Sequence, residues 1–269
     1  MGIPYAEVIG DPIAHSRSPA IHKFWLEKLG LEGDYRAVQI STRDLPAYLD
    51  ARRADPDWRG CNVTMPLKTA AVALMDGLLP GAKAVNAVNT MFVVDGRLCG
   101  NNTDLRGFAE PFRNDRESRG NALVIGTGAA ARTAFIALAA LDFRTVRLGG
   151  RNAGRARSLL RSLGQRSAAV PLDRPPPSIN LLVNASAGGM TGQDPLEFDL
   201  KRLPPSAVVY DIVYQPLETP LLAQARALGL RTLDGLDMLI GQAAASFCHF
   251  FDGQPPRQHD AELRELLIR

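Results

Sequence analysis

The run Asn62-Val63-Thr64-Met65-Pro66-Leu67-Lys68 sets one lysine just beyond a strand-like stretch and a proline. The pattern predicts a strand over 60–63 and a helix over 66–75, with Pro66 at its start and Lys68 in its first turn. A cation there faces the positive end of the helix dipole, where Asp or Glu is favoured. The same field makes an ammonium easier to deprotonate, which suits a proton donor. Local inconsistency of this kind is expected at functional sites, although a solvated surface lysine reads the same residues equally well.

Two further segments hold polar side chains in unusual places. Residues 90–94 and 97–100 flank Asp95-Gly96, a strong two-residue hairpin signal. Antiparallel pairing then sets Asn89 opposite Asn102 with Asp104 just beyond, so an amide and a carboxylate share one open end; a one-residue slip would undo this. In His15-Ser16-Arg17-Ser18-Pro19, Ser18 fits an N-cap with Pro19 at the first helical position. That reading leaves Ser16 unexplained. Two hydroxyls beside free helix N–H groups also make a cradle for a carboxylate.

The loop Gly126-Thr127-Gly128-Ala129-Ala130-Ala131 directly follows the apolar run 122–125 and opens an alanine-rich helix over 129–140. Gly126 permits a tight turn, Gly128 lets backbone approach a pyrophosphate, and the small Ala131 allows close helix-strand packing. Glycine turns also simply join strands to helices, but the strand-loop-helix-strand order favours a dinucleotide site. No carboxylate occurs from Thr145 through Leu163, where an NAD site places Asp or Glu on the ribose. Arg151 and Arg155 stand there instead, four apart and on one helix face if a helix starts near Asn152. Their forked donors match a 2′-phosphate, and NADP(H) is the cofactor expected; exposed arginines on a surface helix are the alternative.

The elements that must place these groups alternate as short apolar runs and helical patterns, which predicts an α/β architecture with largely parallel sheet. Strands are expected at 5–9, 35–40, 60–63, 90–94, 122–125, 146–149, 179–183 and 207–212, and helices at 18–29, 66–75, 129–140 and 236–251. The proline cluster 175–177 reads as a loop. The domain boundary falls near 104–106, giving a substrate domain over 1–104 completed by about 236–269, and a nucleotide domain over 105–235.

Hydrophobic residues make up 46% and charged residues 22% of the 269, as for a globular chain. The net charge of +3 and the lack of a long basic run argue against a nucleic-acid partner. The N-terminus lacks a signal-peptide pattern, and no stretch approaches a membrane span of about 18 apolar residues. Cys61, Cys99 and Cys248 have no C-x-x-C spacing and are expected as buried free thiols of a reducing, cytoplasmic compartment. His15, His22, His249 and His259 show no paired ligand spacing, so no metal site is expected.

The segments G-D-P-I-A-H-S-R-S-P (10–19), N-V-T-M-P-L-K (62–68), A-V-N-T (87–90), N-T-D (102–104), Y-D-I-V-Y (210–214) and D-M-L-I-G-Q-A (237–243) resemble the shikimate dehydrogenase family, in its order and over nearly the whole chain. The resemblance implies an N-terminal substrate domain completed by C-terminal helices, a Rossmann-type NADP-binding domain, and reversible NADPH-dependent reduction of 3-dehydroshikimate to shikimate in aromatic amino acid biosynthesis. It implies that Ser16 and Ser18 bind the substrate carboxylate, that Asn62, Thr64, Asn89, Tyr214 and Gln242 contact substrate, and that Lys68 and Asp104 are the catalytic pair. Gly126, Thr127, Gly128, Ala129, Ala130, Arg151, Asn152, Arg155, Asn184, Ala185, Ile212 and Gly235 fall at cofactor positions. The protein is expected as a monomer or homodimer. Departures from the family pattern are Asp237 for Gly, Leu67 for an aromatic or His, and Gly150 and Asn152 beside Arg151. A quinate or aminoshikimate dehydrogenase, or a non-catalytic NADP-binding module, are the rival readings; the serine pair and the N-T-D segment disfavour a folate-linked enzyme.

Overall fold

Short apolar strands followed by helices or turns build two sheets in the computed structural model, which describes residues 2–115, 119–166, 169–176 and 178–268. The chain divides into two units, Met1–Gly107 with Leu239–Arg269, and Phe108–Met238.

The first unit contains β1 (Tyr5–Gly10), α1 (Ser18–Leu29), β2 (Asp34–Gln39), α2 (Leu45–Arg53), β3 (Trp58–Val63), β4 (Gly77–Leu78), α3 (Pro80–Val85), β5 (Thr90–Val94) and β6 (Arg97–Asn101). Its sheet runs β2-β1-β3-β5-β6-β4. β1 pairs in parallel with β2 and β3, and the β5–β6 hairpin adds antiparallel to β3. Alternate side chains of β1 enter opposite cores, Tyr5 and Ile9 on one face, Ala6 and Val8 on the other. Glu7 is almost fully buried, and Arg52 from α2 holds it through a two-bonded fork at 2.8 and 2.9 Å. That fork offsets the cost of desolvating the carboxylate.

The chain crosses to the second unit within α4 (Asp104–Ala109). There β7 (Asn121–Ile125), α5 (Ala129–Ala140), β8 (Thr145–Gly149), α6 (Ala153–Ser162), β9 (Leu181–Asn184), β10 (Val208–Asp211), α7 (Pro220–Ala227) and β11 (Arg231–Leu233) follow. The sheet order is β11-β10-β9-β7-β8. Every pairing is parallel. Val170 adds one parallel bridge to Gly149 on the outer side of β8. The result is the doubly wound 3-2-1-4-5-6 order with its third strand reduced to a bridge. β9 and β10 are buried at every residue, as expected for parallel strands covered on both faces. The order reverses between β7 and β9, so ligand binding is expected beyond the carboxyl ends of those two strands. α8 (Gly235–Phe250) then returns the chain to the first unit, and α9 (Asp260–Ile268) closes it. Phe247 of α8 packs edge-on against Trp25 of α1, with ring centroids 5.6 Å apart.

Three expectations need correction. No α-helix covers 66–75: residues 65–69 form turns, and only a 3₁₀ helix, Ala70–Leu74, follows. The Lys68 carbonyl accepts from Val88 N–H at 2.8 Å, so a tertiary bond takes the acceptor that a helix would have used. Lys68 therefore does not oppose a helix dipole. Among the cysteines, all free, only Cys61 is buried, while Cys99 and Cys248 are half-buried. Pro175 and Pro176 lie outside helix and strand, as expected, and Pro177 lies outside the described residues.

Candidate functional site

The hairpin builds the centre of the first unit's polar cluster. Thr90 pairs with Asn101, and the turn residues Asp95 and Gly96 take φ of 51° and 74°, as a two-residue turn of this hand requires. This register carries Asn89 to the segment after β6, where its amide nitrogen donates to Asp104 Oδ1 at 2.8 Å. Lys68 Nζ donates to Asp104 Oδ2 at 2.7 Å. Side-chain exposure is 23% for Lys68 and 12% for Asp104, so the ion pair is shielded yet open to a small molecule. Asp104 opens α4, where a carboxylate is favoured by the dipole.

The other residues expected to contact substrate divide by what they already hold. Ser18 is the first residue of α1, not its cap; Arg17 occupies the cap position and its own side chain makes no cap bond. Ser16 Oγ accepts from Ser18 N–H at 3.3 Å. The two serines therefore stand together at an uncapped helix start, the arrangement an anion cradle needs. Thr64 follows β3 and is half-buried, its N–H bound to Ile9 O at 2.9 Å. Gln242 is buried on α8 and donates to Leu239 O at 3.0 Å. Asn62 is fully committed inside the fold: Tyr35 and Ser246 hydroxyls donate to its Oδ1 at 2.6 and 3.2 Å. Its Nδ2 donates to Asn89 O and Thr90 Oγ1 at 3.2 and 3.1 Å.

In the second unit, Gly126 takes φ 144°, and a Cβ there would meet Ala185 O at 2.4 Å. Its N–H donates to Gly149 O at 2.9 Å, and Ala185 N–H to Ile125 O at 2.8 Å. These bonds fasten the loop across the carboxyl ends of β7, β8 and β9. Gly128 caps α5 without any side-chain bond, and nothing lies within 4 Å of where its Cβ would stand. Thr127, Gly128, Ala129 and Ala130 thus present uncapped helix N–H groups beside open space, which fits a pyrophosphate. Thr127 Cγ2 is 3.2 Å from a Cβ built on Gly150, so the arginine segment adjoins the loop.

Arg151 and Arg155 do not share a helix face as expected. α6 begins at Ala153, with Asn152 as its cap accepting from Arg155 N–H at 3.0 Å; Arg151 lies before that cap. Both arginines are exposed, and no ion pair engages either of them among the described residues. Two unpaired guanidiniums flank an ordered turn, and that still fits a dianionic phosphate.

Asn184 is wholly buried, its amide bound to Gly188 O and Asp211 Oδ1 at 2.9 and 3.0 Å, and its Oδ1 accepting from Ser186. Ile212 N–H reaches Asn184 O at 3.1 Å. A Cβ on Gly235 would strike Ile212 O at 2.4 Å, so only glycine fits between these strand ends. Tyr214 follows β10 and is half-buried. Asp237 lies in the first turn of α8, a placement the dipole favours.

Several polar residues escaped sequence reasoning. Thr90 and Thr103 hydroxyls flank the Asn89 amide at 2.9 and 3.0 Å. Asp211 receives Thr219 Oγ1 at 2.7 Å and Val213 N–H at 3.1 Å, while burial pushes its carboxyl above the usual range. The available signal was their place in A-V-N-T, N-T-D and Y-D-I-V-Y. Among the described residues no group of His, Cys, Asp or Glu is arranged to hold a metal ion, and no helix is long and apolar enough to cross a membrane.

A family model described as the shikimate dehydrogenase substrate binding domain matches residues 8–91. The chain is 50% identical to a shikimate dehydrogenase (NADP(+)) of Sphingopyxis alaskensis, across 98% of this chain and 97% of that one. Its structure is similar to that of shikimate 5-dehydrogenase from Thermus thermophilus in complex with NADP(H) and shikimate. The TM-score is 0.88 at 38% identity, covering 98% and 100% of the two chains. A quinate dehydrogenase from Corynebacterium glutamicum in complex with NAD also matches, with TM-score 0.88 at 28% identity over 98% and 99%.

Proposed function

The chain belongs to the shikimate dehydrogenase family, and from that membership we propose that it interconverts 3-dehydroshikimate and shikimate with NADP(H). The observation that carries the mechanism is the Lys68–Asp104 contact at 2.7 Å. When bound, NADPH supplies the hydride equivalent. The substrate's ring ketone then gains negative charge on oxygen, and Lys68 Nζ stabilises that oxygen and gives it a proton. Asp104 holds the ammonium in place, and Asn89 holds Asp104. Ser16 and Ser18 bind the substrate carboxylate at the start of α1. Thr64 and Gln242 are further substrate contacts within the first unit, and Tyr214, in the second, takes its substrate role from the family resemblance. The loop from Gly126 to Ala130 holds the pyrophosphate, Arg151 and Arg155 the 2′-phosphate, and Ala185, Ile212 and Gly235 shape the wall beside them.

On this reading, residues 1–104 with 236–269 form the substrate domain and 105–235 the cofactor domain. The enzyme acts in the cytoplasm on a small carboxylate, as a monomer or homodimer, without nucleic acid or membrane. NADPH consumption by purified protein on addition of 3-dehydroshikimate tests the proposal. Turnover that disappears in Lys68→Ala supports it, and no turnover by the folded wild type overturns it.

A further inference from the structure

The polar groups around Asp104 form a directed chain. Asp104 accepts through both oxygens, Oδ2 from Lys68 at 2.7 Å and Oδ1 from Asn89 Nδ2 at 2.8 Å. The Asn89 amide can present nitrogen to Asp104 only while its oxygen faces the other way. That oxygen accepts Thr103 N–H at 2.6 Å, a group that can only donate. It also accepts the Thr90 hydroxyl at 2.9 Å. Thr90 Oγ1 in turn accepts from Asn62 Nδ2 at 3.1 Å, and Asn62 Oδ1 accepts the Tyr35 hydroxyl at 2.6 Å.

From Tyr35 through Asn62, Thr90 and Asn89, one donor of each residue points along the chain to the Asp104 carboxylate, with Thr103 Oγ1 beside it at 3.1 Å from Thr90 Oγ1 and 3.0 Å from Asn89 Nδ2. Thr90 is the one link that both accepts from Asn62 and donates to Asn89. It is fully buried, as the first residue of β5, where a valine would satisfy strand propensity and packing equally well. A buried hydroxyl in place of a methyl requires partners, and these partners lead to the catalytic carboxylate.

We propose that Thr90 is a positioning residue for the reaction, acting through Asn89 on Asp104 and so on Lys68, without touching substrate. The proposal rests on the catalytic roles given above to Lys68 and Asp104. With the hydroxyl removed, Asn62 Nδ2 keeps only the Asn89 carbonyl and the Asn89 amide loses one of its orienting donors. Asp104 and Lys68 then wander from the geometry that the transition state needs, while the serine pair at α1 and the cofactor loop stay in place. Small displacements of reacting groups are costly to kcat.

The test compares Thr90→Val and Thr90→Ser with wild type for NADP-dependent shikimate oxidation. Thr90→Val is expected to lower kcat roughly 5- to 50-fold, with KM for shikimate and for NADP within about twofold, and Thr90→Ser to restore most of kcat. Unchanged kcat in Thr90→Val, a serine variant as slow as the valine one, or a loss confined to KM would each overturn the proposal. Should the valine variant not fold, Thr90→Ala against Thr90→Ser isolates the hydroxyl, since both lack the methyl; equal kcat in that pair overturns it too. Crystal structures of the variants read the Asn89–Asp104 distance directly. If wild type does not oxidise shikimate, the functional proposal fails, whereas an unmoved Asn89 amide in Thr90→Val contradicts the positioning role alone.

Discussion

Asp104 stands 36 residues beyond Lys68 in sequence, yet its Oδ2 accepts the Lys68 ammonium at 2.7 Å. Hairpin register and a turn anchored by Val88 bring the two together. Lys68→Ala should lower kcat by a factor on the order of 10²–10⁴, as for loss of a general acid, with KM for NADP nearly unchanged. Asp104→Asn should also lower kcat, and the double variant should be little slower than the poorer single one. Strictly multiplicative losses would show that the two act independently.

The hairpin was legible because Asp95-Gly96 favours a tight two-residue turn, and the resulting register pairs Thr90 with Asn101 and brings Asn89 to Asp104. The glycine loop was legible for a similar reason, since Gly126 occupies a backbone conformation that few other residues adopt. What failed depended on long-range bonds. The helix expected over 66–75 gave way because Val88 N–H claims the Lys68 carbonyl. Nor does the sequence show that the Asn62 and Asn184 amides bond to Tyr35 and Asp211, each 27 residues away. Motif spacing carries no information about such saturation.

The two serines separate cradle from cap. Because α1 has no side-chain cap bond, Ser18→Ala should change folding stability by no more than about 0.5 kcal/mol, against about 1 kcal/mol for loss of a true N-cap. Changing Ser16 and Ser18 together to Ala should raise KM for substrate far more than KM for cofactor. Steady-state kinetics beside denaturant unfolding measure both; a matched rise in the two KM values speaks against the cradle.

The glycine loop offers a contrast between two neighbours. Gly126→Ala would force a Cβ to within 2.4 Å of the Ala185 carbonyl at φ 144°, and should destabilise the fold by roughly 1–3 kcal/mol or more. Gly128→Ala enters open space and should leave thermal stability nearly intact while weakening NADP binding. Thermal unfolding with and without NADP distinguishes them. Equal destabilisation by both substitutions would mean that the loop's glycines serve backbone geometry alone.

His22 gives a pH dependence unrelated to catalysis. Its ring is fully buried and stacked on Tyr35 at 4.0 Å, with neither nitrogen hydrogen-bonded among the described residues. Burial lowers its pKa to about 3, whereas the unfolded chain titrates near 6.5. Between those values the unfolded state binds the extra proton, so stability falls as pH drops below about 6.5, by up to about 1.4 kcal/mol per unit. His22→Phe keeps an aromatic ring there and should flatten the unfolding free energy between about pH 5 and 6.5. An identical slope in both proteins would show that His22 is protonated in the folded state.

The central claim is NADP-dependent chemistry on shikimate, and the most direct measurement is kcat/KM of the purified protein for shikimate and for quinate, each with NADP and with NAD. Shikimate with NADP is expected to be the best pair, and Arg151→Ala should remove most of the preference for NADP, since a guanidinium stands where an NAD site places a carboxylate. Equal efficiency with the two cofactors, or faster turnover of quinate than of shikimate, would contradict it.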